Sequence, residues 1–268
     1  MTPWPMLPKP PPGMSGTLLK TDAQGFAKPS VNDDGQHKCL HFTMGELQSR
    51  MNLHSPWQLE VDYTRTMMGF LLLHYAPAHL VMVGLGGGSL AKFCYRQLPG
   101  SRITVLEINP HVVALRGEFQ VPDDDVRFQV IEADGAAYVA AQNASVDVLL
   151  IDGFDHQGQP AALCSPGFYD DCRAALSADG VLAVNLHHNA PDYPVWAERI
   201  RRSFDGNAVE IPTPEKSNCI VFASRGKPLS PRSISLSASL TSLDGEAKVQ
   251  LKPEFNRITW AMKDLGES

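Results

Sequence analysis

Two carboxylates follow one largely apolar segment, and their position makes them the first candidates for chemistry. The run 146–151 ends at Asp152, and Asp155 lies three residues further on. Carboxylates placed in this way can grip an ammonium group, or accept a proton from an amine as it attacks an electrophile. Asp155 can equally be a solvated turn residue, because aspartate is common in turns. We therefore take Asp152 as the candidate catalytic base and Asp155 as a candidate substrate-binding residue.

A glycine cluster after a second apolar run indicates a site for the adenosine part of a cofactor. The run 80–83 precedes the cluster, a helix-like segment follows it, and a β-branched run, 103–106, ends at Glu107. Glycines let the backbone approach a ligand closely, and an acid about 20 residues on can accept hydrogen bonds from both ribose hydroxyls. The glycines are Gly84, Gly86, Gly87 and Gly88. Ser89 takes the sixth place of the dinucleotide pattern, which favours S-adenosylmethionine over NAD.

Alternating strand and helix patterns must position these residues. A third strand pattern ends just before Asp134, and further strands are predicted at 146–151 and 180–186. Such alternation predicts an α/β fold of the Rossmann-like methyltransferase type, a mostly parallel sheet with helices on both faces. Two late strands, 209–211 and 219–223, predict an antiparallel edge hairpin. Because ligands bind beyond the carboxyl ends of parallel strands, Glu107, Asp134 and Asp152 should line one crevice.

The remaining segments divide the chain into four parts. Residues 1–16 are proline-rich and predict a disordered arm. Residues 17–55 read as a small N-terminal β region, and 56–224 as the nucleoside-binding catalytic domain, which opens with a predicted helix over 56–75. Residues 225–268 form a weakly patterned C-terminal extension with a final helix at 253–265.

Composition narrows the classes of function. The 268 residues carry 23 basic and 29 acidic side chains, a net charge of −6, which argues against coating nucleic acid and suits cationic ligands such as polyamines. Five scattered cysteines without a CxxC pair read as reduced thiols, and no apolar run is long enough for a membrane span. We expect cytoplasmic residence. His156, His187 and His188 lack the spacing of metal ligands, so no metal is expected.

The order of these motifs resembles the spermidine synthase family, the polyamine aminopropyltransferases. The resemblance covers roughly residues 40–224 and rests on the motifs together. They are Gly45-Glu46-Leu47-Gln48, Glu60 with Tyr63, the glycine loop with Glu107, Ala133-Asp134-Gly135, and Asp152 to Asp155 followed by Phe168-Tyr169.

The resemblance implies a role for each matched residue. Gln48 and Glu107 would hold the ribose of the donor, and Asp134 its adenine amino group. Asp152 would be the base, with Asp155 and Tyr63 placing the amine. Family members transfer an aminopropyl group from decarboxylated S-adenosylmethionine to a polyamine and release methylthioadenosine. The resemblance also allows a homodimer, with the N-terminal β region as the candidate contact.

Four departures from the family pattern keep alternatives open. Gly87 stands where the family has an aspartate that binds the donor's ammonium, and no carboxylate occurs from Gly84 to Lys92. Thr64 replaces a histidine, Asn185 a glutamine, and 211–214 lacks a tyrosine that lines the polyamine channel. A donor with its own carboxylate, intact S-adenosylmethionine, would be repelled less. The alternatives are a methyltransferase on the same fold, a nucleoside-binding homologue without turnover, and, more distantly, an NAD oxidoreductase.

Overall fold

Two β-sheets organise the protein, and the computed structural model describes residues 21–43, 46–155 and 158–266. The predicted arm at 1–16, together with Gly45 and His156, lies outside these ranges. A small antiparallel sheet comes first, followed by a seven-stranded sheet in the order β6-β5-β4-β7-β8-β10-β9. The strands are β1 Ser30–Asp33, β2 His37–Thr43, β3 Glu46–Asn52, β4 His79–Val83, β5 Arg102–Glu107, β6 Phe128–Glu132, β7 Val146–Ile151, β8 Leu176–His187, β9 Ala208–Pro212 and β10 Asn218–Ser224.

Helices cover both faces of the large sheet. They are α1 Asp62–Met67, α2 Phe70–Leu73, α3 Ser89–Gln97, α4 Pro110–Ala114, α5 Gly135–Ala140, α6 Pro166–Ala175, α7 Tyr193–Ser203, α8 Leu236–Thr241 and α9 Gly245–Gly266. β4, β5, β6, β7 and β8 are parallel, while β10 pairs antiparallel with both β8 and β9. The predicted Rossmann-like α/β class and its antiparallel edge hairpin are confirmed.

The apolar residues of β4 explain why the sheet is covered twice. Successive side chains of a strand point to opposite faces. Leu80 and Met82 accordingly belong to one buried cluster, which also contains apolar side chains of α3 and α9, while Val81 and Val83 belong to a second cluster with α6 and α7. A strand that is apolar at every position needs helices on both sides, and β4 is buried along its whole length.

The small sheet packs on the first of these clusters. Leu40 and Phe42 of β2 and Met51 of β3 are buried in it. The N-terminal β strands therefore share a core with the Rossmann-like part of the chain, and they approach the end of the sheet at which the glycine loop lies.

Two predicted helices differ from the observed ones. The segment 56–75 forms two short helices rather than one, and Gly69 lies between them, where an added Cβ would be 2.7 Å from Ile258 Cδ1. The final helix begins at Gly245, not Pro253. Proline is tolerated inside α9 because Leu251, Phe255 and other buried side chains hold the helix on the core, which outweighs the lost hydrogen bond. Among the described helices, none is both long and apolar enough to cross a membrane.

Candidate functional site

A cavity of about 360 Å³ opens beyond the carboxyl ends of β4, β5 and β7. The parallel register brings these ends together, since Val83 lies beside Leu106 on one side and Ile151 on the other. Every candidate site residue of the sequence analysis lines this cavity: Gln48, Tyr63, Gly84, Gly86, Gly87, Glu107, Asp134, Asp152 and Asp155. The structure thus brings together residues as distant in sequence as Gln48 and Asp155, which are 107 positions apart.

The glycine loop lines the cavity with residues 84–87. Gly84 and Gly86 have φ values of +100° and +51°, in the region that favours glycine. A Cβ added at Gly84 would lie 2.4 Å from the Asp152 carbonyl oxygen, so a side chain there would separate the ends of β4 and β7. The loop therefore leaves bare backbone facing the cavity, which is the kind of cradle that an adenosyl group requires.

Glu107 is held in place by the backbone of this loop. Its Oε2 accepts a hydrogen bond from the amide of Leu85 at 3.0 Å, and its Oε1 accepts one from the amide of Asn109 at 2.9 Å. Burial raises the pKa of Glu107, and these backbone donors oppose the rise. Only 9% of Glu107 is exposed. Each carboxylate oxygen has further acceptor capacity, so Glu107 can accept hydroxyl groups from a ligand.

Asp152 lies between two donors from different elements. Tyr63 on α1 donates from its hydroxyl to Asp152 Oδ2 at 3.1 Å, and Asn185 on β8 donates from Nδ2 to Oδ1 at 2.8 Å. The residue is exposed only in part, with the cavity walls around it. Burial raises its pKa to about 6, while both donors lower it. A carboxylate with this pKa is ionised at neutral pH and is well matched to accept a proton.

Two further predicted residues, Asp134 and Asp155, are exposed at the edge of the cavity. Asp134 caps α5, since its Oδ1 accepts from the amides of Ala136 at 2.8 Å and Ala137 at 3.4 Å. Asp155 is exposed, and its backbone forms an antiparallel bridge with Gly158. Both residues belong to the cavity wall. The Asp134 cap also explains part of the Ala-Asp-Gly pattern, because Asp is a strong helix N-cap.

Among the described residues, every charged side chain that lines the cavity is a carboxylate. Four carboxylates line it, those of Glu107, Asp134, Asp152 and Asp155, and no lysine, arginine or histidine among the described residues does. A cavity with one sign of charge attracts ligands of the other sign. The arrangement therefore suits a cationic ligand, such as one that bears a sulfonium or an ammonium group.

Three residues in or around the site make contacts that the sequence did not indicate. Ser49 of β3 reaches the glycine loop, where a Cβ on Gly87 would lie 2.5 Å from its Oγ. Asn218 donates to Asn185, which the sequence identified only as a replacement for glutamine. Lys92 of α3 is buried, and its Nζ donates to the Phe119 carbonyl at 2.8 Å. Motif spacing gives no signal for such contacts, because they join separate elements.

The described ranges, 21–43, 46–155 and 158–266, contain histidine, cysteine and carboxylate side chains that could in principle bind a metal. No group of three or more histidine, cysteine or carboxylate side chains there is placed to hold a metal ion. The five cysteines are all unpaired thiols, four of them buried.

Fold and site together define a class: transferases that bind an adenosyl co-substrate at the end of a methyltransferase-like sheet. The chain belongs to the polyamine aminopropyltransferase family. It is 38% identical over 212 residues to a polyamine aminopropyltransferase of Neisseria meningitidis serogroup A, and the matched segment covers 78% of this chain and 81% of the relative. Another, from Chromobacterium violaceum, is 35% identical over 241 residues, 90% and 92% of the two chains. No protein-family model matches the chain.

Solved structures agree on the fold. A probable spermidine synthase from Corynebacterium glutamicum superposes with a TM-score of 0.66 at 18% identity, covering 88% of this chain and 91% of that one. A spermidine synthase in complex with the transition-state analogue AdoDATO has a TM-score of 0.63 at 20% sequence identity, and the match covers 89% of this chain and 83% of that one. Human methyltransferase-like protein 13 in complex with SAH has a TM-score of 0.56 at 22% sequence identity, and the match covers 73% of this chain and 93% of that one. At these identities the likeness concerns the fold alone.

Proposed function

We propose that the protein transfers an aminopropyl group from decarboxylated S-adenosylmethionine to an amine of the polyamine class. The observation behind this proposal is the acidic cavity in which Asp152 lies between Tyr63 and Asn185. Donor and acceptor are both cations, and the charged side chains of the described cavity wall are carboxylates. The names of the relatives agree with this chemistry.

The donor's adenosyl part would lie along the glycine loop. We propose that Glu107 and Gln48, which both line the cavity, accept hydrogen bonds from the ribose hydroxyls, and that Asp134 accepts one from the adenine amino group. Gly84, Gly86 and Gly87 would let the backbone contact the ligand directly. Each of these residues lines the cavity, and Glu107 is already fixed by two backbone donors.

Asp152 would accept the proton during transfer. The donor's sulfonium makes the adjacent carbon electrophilic. As the new C–N bond forms there, the C–S bond breaks and its electron pair stays on sulfur, which leaves as a neutral thioether. The attacking amine loses a proton to Asp152, whose pKa of about 6 keeps it ionised at neutral pH. Tyr63 and Asp155 would orient the amine, and orientation supplies much of the rate in such a displacement.

Methyl transfer from intact S-adenosylmethionine is the second candidate, and one observation favours it. Gly87 occupies the place of an acid that would repel a donor carboxylate. A Cβ at that position would lie 2.5 Å from Ser49 Oγ and 3.0 Å from Phe119 Cδ1, so the space for an acid is already filled. A cavity without that acid discriminates less between the intact and the decarboxylated donor.

Calorimetric binding with a turnover assay tests the proposal. The ligands are S-adenosylmethionine, its decarboxylated form, methylthioadenosine and NAD, and the acceptors are 1,4-diaminobutane and spermidine. We expect tighter binding of the decarboxylated donor and methylthioadenosine, and Asp152→Asn to lower turnover on the order of 10²-fold with nucleoside binding retained. Preference for the intact donor, with methyl transfer, would replace the proposal by the second candidate. Unchanged turnover of Asp152→Asn would remove Asp152 as the base.

A further inference from the structure

A chain of hydrogen-bonded side chains leads from the edge hairpin to Asp152. Asn185 donates from Nδ2 to Asp152 Oδ1 at 2.8 Å, and Asn218 donates from Nδ2 to Asn185 Oδ1 at 2.9 Å. The Ser217 hydroxyl donates to Asn218 Oδ1 at 3.0 Å. Asn185 is 1% exposed and Asn218 9%. Bulk water therefore competes little with these bonds, and each amide depends on its side-chain neighbours.

The carboxylate fixes the direction of every bond in this chain. An ionised carboxylate can only accept hydrogen bonds, so Asn185 must turn its NH₂ group toward Asp152. The Asn185 oxygen then faces Asn218, which must present an NH₂ group in turn. If Asn185 were reversed, its NH₂ group would meet that of Asn218. In its observed orientation, with its oxygen accepting from Ser217, Asn218 therefore disfavours a reversed Asn185. Asn185 could accept a proton from a neutral Asp152 only if Asn218 turned as well.

We propose that Asn218 is a positioning residue for the reaction: acting through Asn185, it keeps a donor on Asp152 Oδ1 and so holds Asp152 ionised and ready to accept the amine proton. This inference rests on the proposed function in taking Asp152 as the base. The strand register supports it. Asn218 on β10 lies opposite His187 on β8, two residues from Asn185, so the two amides share one face of the sheet.

Burial and hydrogen bonding act in opposite directions on the pKa of Asp152, so the loss of a hydrogen-bond donor would raise it. Burial raises this pKa to about 6, and the bond from Asn185 is the largest influence that lowers it. A further rise would leave a growing share of the carboxyl protonated at neutral pH. Other titratable groups also surround Asp152. Tyr63, Glu107, Asp134 and Asp155 share its cavity, and His187 stacks on Phe154 with ring centroids 4.4 Å apart.

A direct titration of Asp152 tests the proposal without requiring turnover. Carboxyl-¹³C-labelled aspartate is followed by NMR from pH 4 to pH 9, with Asp152→Asn assigning the resonance. Asn218→Leu keeps the branching of the side chain, although it is somewhat larger, and removes both polar atoms. Asn218→Asp keeps the shape but draws the Asn185 NH₂ group toward itself. Asn207→Ala is the matched control, because Asn207 braces the far end of the same hairpin through the carbonyls of Ser224 and Lys227.

We expect Asn218→Leu to raise the pKa of Asp152 by about half to one unit, since loss of a donor favours the neutral acid. Asn218→Asp should raise it further, because the new carboxylate also repels the charge of Asp152. Asn207→Ala should leave it in place. The acid limb of the pH–rate profile should move by the same amount. The titrations of wild type and Asn218→Leu are repeated in a His187→Gln background. This substitution removes the titratable group that lies opposite Asn218 in the strand register.

Three outcomes would overturn the inference. They are an unchanged Asp152 titration in both Asn218 variants, an equal shift in Asn207→Ala, and a shift that disappears with His187→Gln. If one Asn218 variant does not fold, an unchanged Asp152 titration in the other overturns the inference. Support comes from the shift in Asn218→Leu, because that variant adds no charge. Failure of the proposed function is separately visible, because turnover would then be absent in the wild type while the Asp152 titration still responds to Asn218.

Discussion

The hydroxyl of Tyr63 donates to Asp152 Oδ2 at 3.1 Å, and this bond joins helix α1 to the residue that follows strand β7. Burial and the charge of Asp152 raise the pKa of Tyr63 well above its ordinary value. The phenol therefore remains a neutral donor at neutral pH and well above it, while the pKa of its partner Asp152 is about 6.

Tyr63→Phe removes this donor without changing the packing of the ring. A hydrogen bond to a charged group is worth roughly 1.5–3 kcal/mol, so we expect the pKa of Asp152 to rise by about one unit, which leaves about half of the carboxyl ionised at pH 7. Because Tyr63 would also orient the amine, turnover at pH 7 should fall on the order of 10-fold. Part of the loss should return at higher pH, where Asp152 is ionised again. A pH–rate profile measures this, with the exposed Tyr75→Phe as control. A profile of Tyr63→Phe that coincides with wild type would contradict the contact's role.

Asp152 should also reduce the stability of the native state at neutral pH. Its folded pKa of about 6 lies above the ordinary value of 3.8, so the native state binds more protons between these values. Stability therefore falls as pH rises from about 4 to about 6, by on the order of 1–3 kcal/mol for this group. Asp152→Asn should lack that decline. Urea unfolding at pH 4, 5, 6 and 7 measures it, and parallel curves for the two proteins would be the contrary result.

Glu107→Gln should weaken every adenosyl ligand together, because the substitution replaces two anionic acceptor oxygens by one neutral one. We expect at least about a 10-fold loss of affinity for S-adenosylmethionine, its decarboxylated form and methylthioadenosine alike. Glu132→Gln is the matched control, since Glu132 ends the adjacent strand opposite Glu107 but does not line the cavity. Calorimetry distinguishes the two; equal losses in both variants would refute the assignment of the ribose to Glu107.

Gly87→Asp by itself should weaken all adenosyl ligands, because its Cβ would lie 2.5 Å from Ser49 Oγ and 2.9 Å from Ser49 Cβ. Ser49→Gly removes both atoms and leaves Phe119 Cδ1 at 3.0 Å, a contact that a small shift of the ring relieves. We therefore expect the double variant to recover binding and to prefer the decarboxylated donor, whose free ammonium can pair with the new carboxylate while the intact donor's carboxylate is repelled. Ser49→Gly alone controls for the loosened strand. Recovery of binding without a change in preference would show that position 87 does not face the donor's tail.

Lys92 gives the protein a second pH dependence in the alkaline range. Burial lowers the pKa of its ammonium from 10.5 to about 8, so the native state binds fewer protons than the unfolded chain between these values. Stability should rise as pH increases from about 8, by on the order of 1–3 kcal/mol. Lys92→Met should abolish the rise, whereas exposed Lys252→Met should keep it. Denaturant unfolding between pH 7 and 10 makes the comparison, and a rise that persists in Lys92→Met would disprove it.

Several expectations from the sequence stay predictions. The proline-rich arm at 1–16, the boundaries of the four parts, the homodimer and cytoplasmic residence belong to this group. The final helix nevertheless packs into the same buried cluster as β4 and α3, through Leu251, Phe255, Ile258 and Met262. Residues 245–266 therefore contribute to the core that supports the site.

The sequence by itself determined the layered α/β fold and the end of the sheet at which the site lies. Strand and helix periods are local properties, and parallel strands that end in carboxylates must deliver them to one edge, as Glu107 and Asp152 are delivered on either side of Gly84. Tertiary structure alone decided which side chains meet there. Tyr63, Asn185 and Asn218 converge on Asp152, and Ser49 fills the space at Gly87, because contacts between distant segments depend on how whole elements pack and leave no period in the sequence.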